Sequence, residues 1–354
     1  MPLKFGLIGC GRIAKRHAEL LGHGQIDGAE LAAVCDVRPE RATAFGDKFQ
    51  VPYFTDMHVM LTDCELDVVS VLTPSGFHAE NVVEVAAYRK DIVVEKPMAL
   101  TLKDADAMIE ACNRASTRLF VVKQNRFNRP ILKLRNALES GRFGKIFLGT
   151  VRVRWCRTPS YYEADSWRGT WAFDGGVLAN QASHHVDLLE WMMGDVESVF
   201  AKAITALAPI ETEDTAIAIL KFKSGALGVI EATTAVRPTD LEGSISILGE
   251  KGTVEIGGFA VNELRVWNFT DPTDDDADVR EKFSVNPPNV YGFGHQAYYE
   301  HVVECITANA RILVDGQEGR RSLELITALY ESIETAREIY LPVAPQKCRL
   351  GVRG

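Results

Sequence analysis

The first third of the chain alternates short apolar runs with stretches of helical spacing. Phe5 to Ile8 is one such run, and behind it Ile13, Leu20 and Leu21 recur on one helix face. AELAAVCDV follows, then LDVVSVLTP (Leu66 to Pro74) and the helical pattern HAENVVEVAAY. DIVVEKPMAL (Asp91 to Leu100), a further helix and RLFVVKQNRF complete the series. Strand-length runs alternating with helices predict a parallel sheet with crossover helices. In such sheets a ligand lies beyond the carboxyl ends of the strands. Thr73-Pro74-Ser75, Glu95-Lys96-Pro97 and Gln124-Asn125-Arg126 all fall at those ends.

Past residue 145 the pattern changes. KIFLGTVRVRW, VFAKAITAL, TAIAILKF, LGVIEATTA and SISILGEKGTVEI are alternating or β-branched runs with short breaks between them, as in a second sheet. No internal repeat is present. TDPTDDDADVRE (Thr270 to Glu281) is acidic and poor in apolar residues, and reads as a solvated loop. With 354 residues, two domains are expected: 1–124 and 125–354.

Composition narrows the function. No apolar run has the length of a membrane span, and MPLKFGLIGCGR lacks a signal-peptide pattern, so the reading is cytoplasmic with no membrane partner. The seven cysteines are scattered without a C-x-x-C pair, which fits reduced thiols rather than a zinc ribbon or a disulfide scaffold. A net charge of −9 disfavours nucleic acid. It also means that an anionic substrate would have to meet a local cluster of arginines.

Gly9-Cys10-Gly11-Arg12-Ile13-Ala14 is a G-x-G-x-x-A turn between the first strand and the first helix. Gly9 permits the tight turn, Gly11 lets the backbone approach a pyrophosphate, and Ala14 allows close helix–strand packing. Asp36 ends the second run, 25 residues beyond Gly11, where an acid accepts the adenosine ribose hydroxyls and repels a 2′-phosphate. The alternative is that Asp36 only starts a turn before Pro39. The acid favours NAD over NADP, with Arg38 beside it as the opposing feature.

The ordered motifs GCGRIA, CD, TPSGFH, EKP, NRF and GGVLANQASHHVD, with the late ILGEKGTVEIGG and the closing LVDGQEGRRSLELITALYESIETAREIYLP, resemble the glucose–fructose oxidoreductase / inositol dehydrogenase (Gfo/Idh/MocA) family nearly end to end. The resemblance implies an α/β Rossmann domain followed by an α+β domain on an open, mainly antiparallel sheet that serves for oligomerisation, here as a homotetramer. It implies NAD held by Gly9, Gly11, Arg12, Ile13, Asp36, Thr73, Pro74, His78, Glu95, Lys96 and Gln124.

Pro97 disfavours a helical conformation at Lys96 and holds it at a strand end. A lysine there can bridge the nicotinamide and a substrate hydroxyl, a role the family gives it; the alternative is an ordinary surface lysine. The family's histidine falls on His184 and its following acid on Asp187. On a helix beginning near Gln181 these are neighbours at i, i+3, while His185 points about 100° away as a helix-surface or supporting group. His184 is then the general acid/base, since an ordinary imidazole pKa near ~6.5 suits taking a hydroxyl proton at neutral pH. A helix-start histidine without chemistry is the bland alternative. No metal is expected, because adjacent helical residues face apart and no second ligand pair shows the required spacing. Inositol dehydrogenases carry an aspartate where this chain has Asn180, which can orient a sugar hydroxyl but cannot take up a proton.

VRVRWCRTPSYYEADSWRGTWAFDGG places Arg152, Arg154, Arg157 and Arg168 among aromatic residues. Guanidinium groups bind carboxylate or phosphate bidentately. The alternative is an interface strand whose arginines pair with acids, a serious competitor for Arg152. With Asn180, the set resembles the family branch of UDP-N-acetylglucosaminuronic acid dehydrogenases, which oxidise the sugar at C3. That branch implies a sugar-nucleotide substrate held by Lys96, Arg154, Arg157, Arg168, Asn180, His184 and Tyr291. It also implies a product passed to an aminotransferase for bacterial surface polysaccharide (lipopolysaccharide O-antigen). Tyr291 and His295, in VYGFGHQAYYEH, either close the sugar pocket or begin a helix. The rival functions are an NAD-dependent dehydrogenase of a free sugar or inositol, and a non-catalytic NAD-sensing regulator.

Overall fold

The computed structural model describes residues 1–284 and 293–353. The chain forms two compact units. The first comprises Met1–Val122 and His295–Arg321, and the second Lys123–Gly294 and Ser322–Gly354. The sequence pattern suggested one cut after residue 124. The chain instead returns to the first unit for 295–321, because that segment packs on the first sheet. Among the described residues no helix is long and apolar enough to cross a membrane.

The first unit is a six-stranded, all-parallel sheet: β1 (Leu3–Ile8), β2 (Ala29–Cys35), β3 (Tyr53–Phe54), β4 (Val68–Val71), β5 (Asp91–Val94) and β6 (Leu119–Val121), in the order β3-β2-β1-β4-β5-β6. The order reverses between β1 and β4, which is where doubly wound sheets place their ligand. The crossovers are α1 (Ala14–Gly22), α2 (Pro39–Phe49), α3 (Met57–Asp63), α4 (His78–Ala86) and α5 (Leu102–Ala115). Local sequence fixes their starts. Pro39 opens α2, and the Asp56 and Thr101 side chains accept first-turn N–H groups of α3 and α5. The returning helix α6 (Gly294–Thr307) sets Tyr299 edge-on against Phe5 with ring centroids 5.5 Å apart, both fully buried. Beyond it, Val121 N–H donates to Val314 O at 3.1 Å, extending the β6 edge.

The second unit is built on β7 (Ile146–Arg154), β8 (Val196–Ile204), β9 (Thr215–Phe222), β10 (Leu227–Thr233), β11 (Glu242–Gly249), β12 (Gly252–Gly257), β13 (Glu263–Phe269) and β14 (Ile339–Tyr340). Their order is β13-β12-β11-β7-β10-β9-β8-β14, and every pair is antiparallel except β7 with β10. Helix α7 (Ser183–Met193) lies on one face. Gly149 of β7 makes this possible, since a Cβ there would stand 2.7 Å from Met193 Sδ and 2.9 Å from Leu189 Cδ1. The other face is open. Alternation on β9 buries Ala216, Ala218, Leu220 and Phe222 and leaves Ile217 and Ile219 exposed. The acidic stretch 270–281 is not simply a solvated loop. Asp276 accepts from Arg142 Nη1 at 2.9 Å and Nη2 at 2.6 Å, and from Trp267 Nε1 at 2.6 Å, which pins it to the domain.

Of the two places expected for His185, the helix surface is not the one it takes. It is fully buried, edge-on to Trp155 at 5.7 Å, and neither ring nitrogen has a hydrogen-bond partner. The helix does turn it away from His184, but that direction leads under the sheet. Burial pushes its pKa down to about 4. The unfolded chain takes up a proton near ~6.5, so folding favours the neutral ring. Stability from this group is complete above pH ~6.5 and is lost as pH falls toward 4, by about 3 kcal/mol. His185→Leu is therefore expected to flatten the fall in melting temperature between pH 6.5 and 4. Equal slopes in the two proteins would refute the assignment.

Candidate active site

In the first unit the glycine turn has the shape its sequence demands. Gly9 has φ +95°, and a Cβ there would lie 2.9 Å from the carbonyl carbon and oxygen of Leu72. A Cβ on Gly11 would meet nothing within 4 Å, so open space adjoins the main chain just before α1. Arg12 is exposed and Ile13 half-buried in the same turn, and Ile13 gives α1 no side-chain cap. Asp36 is buried at the end of β2. It accepts Cys10 N–H on Oδ2 at 2.7 Å and Arg38 N–H on Oδ1 at 2.9 Å. Each carboxylate oxygen keeps a second lone pair for a hydroxyl. These residues fit a dinucleotide: open backbone at Gly11, a helix start, and a tethered acid.

Thr73 and Pro74 stand half-buried beyond β4, and Lys96 half-buried beyond β5. Two neighbours expected to touch the cofactor are turned inward. His78 is buried, with Nδ1 2.8 Å from Pro97 O and Nε2 2.8 Å from Thr73 O, so neither nitrogen is left for a ligand. Glu95 is also buried, with Oε1 3.1 Å from His17 Nε2 and Oε2 accepting Lys96 N–H at 3.0 Å. Both residues bond the turns around Lys96.

In the second unit, residues Val177–Gln181 wind as one wide turn, closed by Ala182 N–H donating to Val177 O at 2.7 Å. Helix α7 follows at Ser183, two residues later than the pattern suggested. Glu213 and Tyr330 hold this turn, and sequence reasoning missed both. Glu213 Oε1 accepts Leu178 N–H and the Tyr330 hydroxyl, each at 2.9 Å, while Tyr330 accepts Gly176 N–H at 3.1 Å. Burial pushes the Glu213 carboxyl up to about 7. The only local signal is Gly175-Gly176, whose need for space implies an approaching group.

The turn carries Asn180 into a polar web. Its amide donates to Asp174 Oδ1 and its Oδ1 accepts from Gln181 Nε2 at 2.9 Å. Gln181 also donates to Tyr161 OH at 2.9 Å and accepts from Arg157 Nε at 3.0 Å. Arg168 donates to Tyr161 OH at 2.5 Å and packs against the Tyr161 and Trp167 rings, 4.5 Å from each centroid. Arg157, Arg168 and Asn180 thus converge. Arg154 does not join them. It is bidentate to Glu231 at 2.7 Å twice and reaches Glu242 at 3.1 Å, so two carboxylates already compensate its charge. Arg152 leans on the same Glu231 at 3.9 Å.

His184 is buried in the first turn of α7. Asp187 faces Arg126, which donates to both its oxygens at 2.8 Å, with Lys123 Nζ 3.7 Å away. Burial raises the Asp187 carboxyl, but Arg126 and Lys123 outweigh it and hold the group below its usual range. Gln124 is buried at the start of a short 3-10 turn. Tyr291 lies outside the described residues.

Known proteins resemble this chain over most of its length. A model described as the oxidoreductase family, NAD-binding Rossmann fold, matches residues 3–123. Its companion, oxidoreductase family, C-terminal alpha/beta domain, matches residues 135–343. The chain belongs to the Gfo/Idh/MocA oxidoreductase family. It is an NAD-dependent dehydrogenase acting on a CH–OH group. The WlbA dehydrogenase of Bordetella pertussis, solved with NADH and UDP-GlcNAcA, is 45% identical, with 97% of this chain and 99% of that one covered and a TM-score of 0.92. The WlbA dehydrogenase of Chromobacterium violaceum, solved with the same two ligands, is 42% identical over 97% of each chain, with a TM-score of 0.91. Myo-inositol 2-dehydrogenase of Thermotoga maritima is 31% identical over 96% of this chain and 98% of its own length.

A test of the turn follows from Gly176, where an added Cβ would lie 2.2 Å from Glu213 Oε2 and 2.3 Å from its carbonyl oxygen. Gly176→Ala is expected to destabilise by about 1–3 kcal/mol and to abolish turnover. Calorimetry and NADH formation would measure both. Unchanged values would mean that Glu213 does not hold the turn.

Proposed function

We propose that the protein oxidises the C3 hydroxyl of UDP-N-acetylglucosaminuronate to the 3-keto sugar nucleotide with NAD. The observation that carries this reading is likeness over the whole chain, 45% identity and a TM-score of 0.92, to a dehydrogenase solved with NADH and UDP-GlcNAcA. The convergence of Arg157, Arg168, Tyr161, Gln181 and Asn180 supports it. Unlike Arg154, Arg157 and Arg168 each meet a carboxylate through one N–H only, Asp240 and Asp165. Their remaining donors suit a uronate carboxylate and a diphosphate.

Bound NAD supplies the hydride acceptor. It is held by Gly9, Gly11, Arg12, Ile13, Asp36, Thr73, Pro74, Lys96 and Gln124. His184 takes the hydroxyl proton as the C3–H bond gives up its electron pair, leaving a C=O bond. Lys96 holds the hydroxyl and steadies the developing negative charge on its oxygen. Asn180 fixes the sugar, its amide being oriented by Asp174 and Gln181. A ketone next to an acetamido carbon is a substrate for an aminotransferase, which would consume the product in the cytoplasm on the way to surface polysaccharide.

Assembly as a homotetramer is proposed through the open face of the second sheet. Phe200 and Ile219 are cross-strand neighbours there and both exposed, with Ile217 and Leu227 beside them. Ile219→Arg is expected to lower the mass seen by sedimentation to that of a smaller species; a mass unaltered from wild type would move the interface elsewhere.

The function is tested by melting the NAD-bound protein with UDP and UDP-N-acetylglucosamine, then by NADH formation from the uronate. A further rise in melting temperature and turnover are expected, and Lys96→Met and His184→Gln should each lose about 10²–10⁴-fold in kcat. A rise with NAD alone, with NADH formed from myo-inositol, would favour the reading suggested by the Thermotoga relative.

A further inference from the structure

Behind Lys96 the first unit buries a row of polar side chains drawn from four elements. His17 is on α1, Ser70 on β4, Glu95 just beyond β5, and His295 and Tyr299 on α6. All five are buried, His17, Ser70 and Tyr299 completely so. Burial on this scale costs free energy unless each group is bonded, so the partners define the purpose.

The direction of the hydrogen bonds can be read link by link. Lys96 N–H donates to Glu95 Oε2 at 3.0 Å. Burial raises the Glu95 carboxyl, but His17 and His295 outweigh it and hold the group well below the usual carboxylate range. Glu95 Oε1 is therefore an acceptor, and His17 Nε2–H donates to it at 3.1 Å. Burial lowers the His17 pKa, which keeps the ring neutral, so Nδ1 carries a lone pair. That lone pair accepts the Tyr299 hydroxyl at 2.6 Å, and Tyr299 in turn accepts from Ser70 at 3.0 Å. His295 Nε2 stands 3.7 Å from the same Glu95 oxygen, its ring edge-on to His17.

One proton order satisfies every link, and it ends on the main chain of Lys96. The far side of that turn is gripped as well. His78 sits between Pro97 O and Thr73 O, 2.8 Å from each, and its neutral ring, favoured by burial, donates to one of the two carbonyls. We propose that Ser70, Tyr299, His17 and Glu95 form a relay of fixed hydrogen bonds whose task, with His78 on the other side, is to position Lys96 for the reaction. These are positioning residues, acting through Glu95 on the backbone N–H of Lys96. The inference rests on the proposed role of Lys96. The ligand atoms of His17, Glu95 and His295 lie within 4.8 Å of one another, close enough for a metal. The 3.1 Å contact is nevertheless of hydrogen-bond length, and the proton order accounts for it.

The test uses the full-length protein with NAD and UDP-N-acetylglucosaminuronate. Tyr299→Phe and His17→Leu should each lower kcat about tenfold or more, with KM for the sugar and Kd for NAD within about threefold of wild type. His17→Gln keeps a donor for Glu95 and should recover most of the loss. Adding Tyr299→Phe to Lys96→Met should cost nothing further. Full kcat in Tyr299→Phe and His17→Leu, beside an inactive Lys96→Met, would overturn the relay alone. An active Lys96→Met would take the role of Lys96 down and the relay with it. Stoichiometric zinc in the purified protein, lost in His17→Gln, would replace the relay with a metal site. Should a variant fold poorly or the uronate not turn over, amide exchange over residues 94–98 gives an independent reading. Exchange about tenfold faster in Tyr299→Phe supports the relay, and unchanged exchange overturns it.

Discussion

A buried carboxylate that accepts main-chain N–H groups is the interaction on which this structure turns. Several groups assigned a chemical role sit on turns just past the end of a strand or before a helix, where the backbone has no ladder to hold it. An acid supplies the missing bonds. Asp36 holds Cys10 and Arg38, Glu95 holds Lys96, Glu213 holds Leu178, and Asp174 holds Gly169. Asp214 takes three in a row, from Ala206, Leu207 and Ala208. Where the acid is ionised each such bond contributes about 1.5–3 kcal/mol, roughly twice a neutral bond, so a single acid can fix a turn; Glu213, pushed up to about 7, is only partly ionised at neutral pH. Removing one leaves buried donors unpaired, which costs more than the bond supplied.

The same principle sorts the arginines. The chain carries net charge −9, so each guanidinium is surrounded by potential partners, and which arginines can meet an anion depends on how fully those partners engage them. Arg126 is spent on Asp187, and Arg154 on Glu231 and Glu242. Arg157 and Arg168 are held more lightly, each by one acid and by neutral groups that fix direction without cancelling charge. Tyr161 and Gln181 link them to Asn180. Of the four arginines in that stretch, partnering sets Arg154 aside, and Arg157 and Arg168 are the two that join the Asn180 web.

What was legible in the chain was what depends on near neighbours. Five of the six strands of the first sheet, the Gly9 turn and the place of Asp36 follow from short-range pattern, because strand length, turn geometry and helix starts are local; the two-residue β3 is too short to leave one. The runs of the second sheet were legible for the same reason, while its mainly antiparallel arrangement came from the family resemblance. The failures share a cause too. Glu231 lies 77 residues from Arg154, and His295 comes 200 after Glu95, so no spacing rule could join them. His185 was correctly turned away from His184, but the pattern gave no reason to expect Trp155 on that side. The return of 295–321 to the first unit was hidden because a helical pattern says which face is apolar, not which sheet will cover it.

Asn180 shows why the departure from the inositol-type pattern changes the chemistry instead of merely removing a group. Its amide donates to Asp174, whose other oxygen holds Gly169 N–H at 2.7 Å. An aspartate at 180 would set two carboxylates against each other in a buried turn. One of them would have to keep a proton, with its pKa strongly raised. Such a pair can store and pass a proton; an amide beside one ionised acid cannot. The amide instead locks the web that reaches through Gln181 to Arg157 and Tyr161. The exchange of acid for amide thus trades a proton store for a rigid frame around the arginines. A substrate with its own negative charges gains more from that frame than a neutral polyol would. In the proposed reaction the proton transfer then rests on His184 and Lys96.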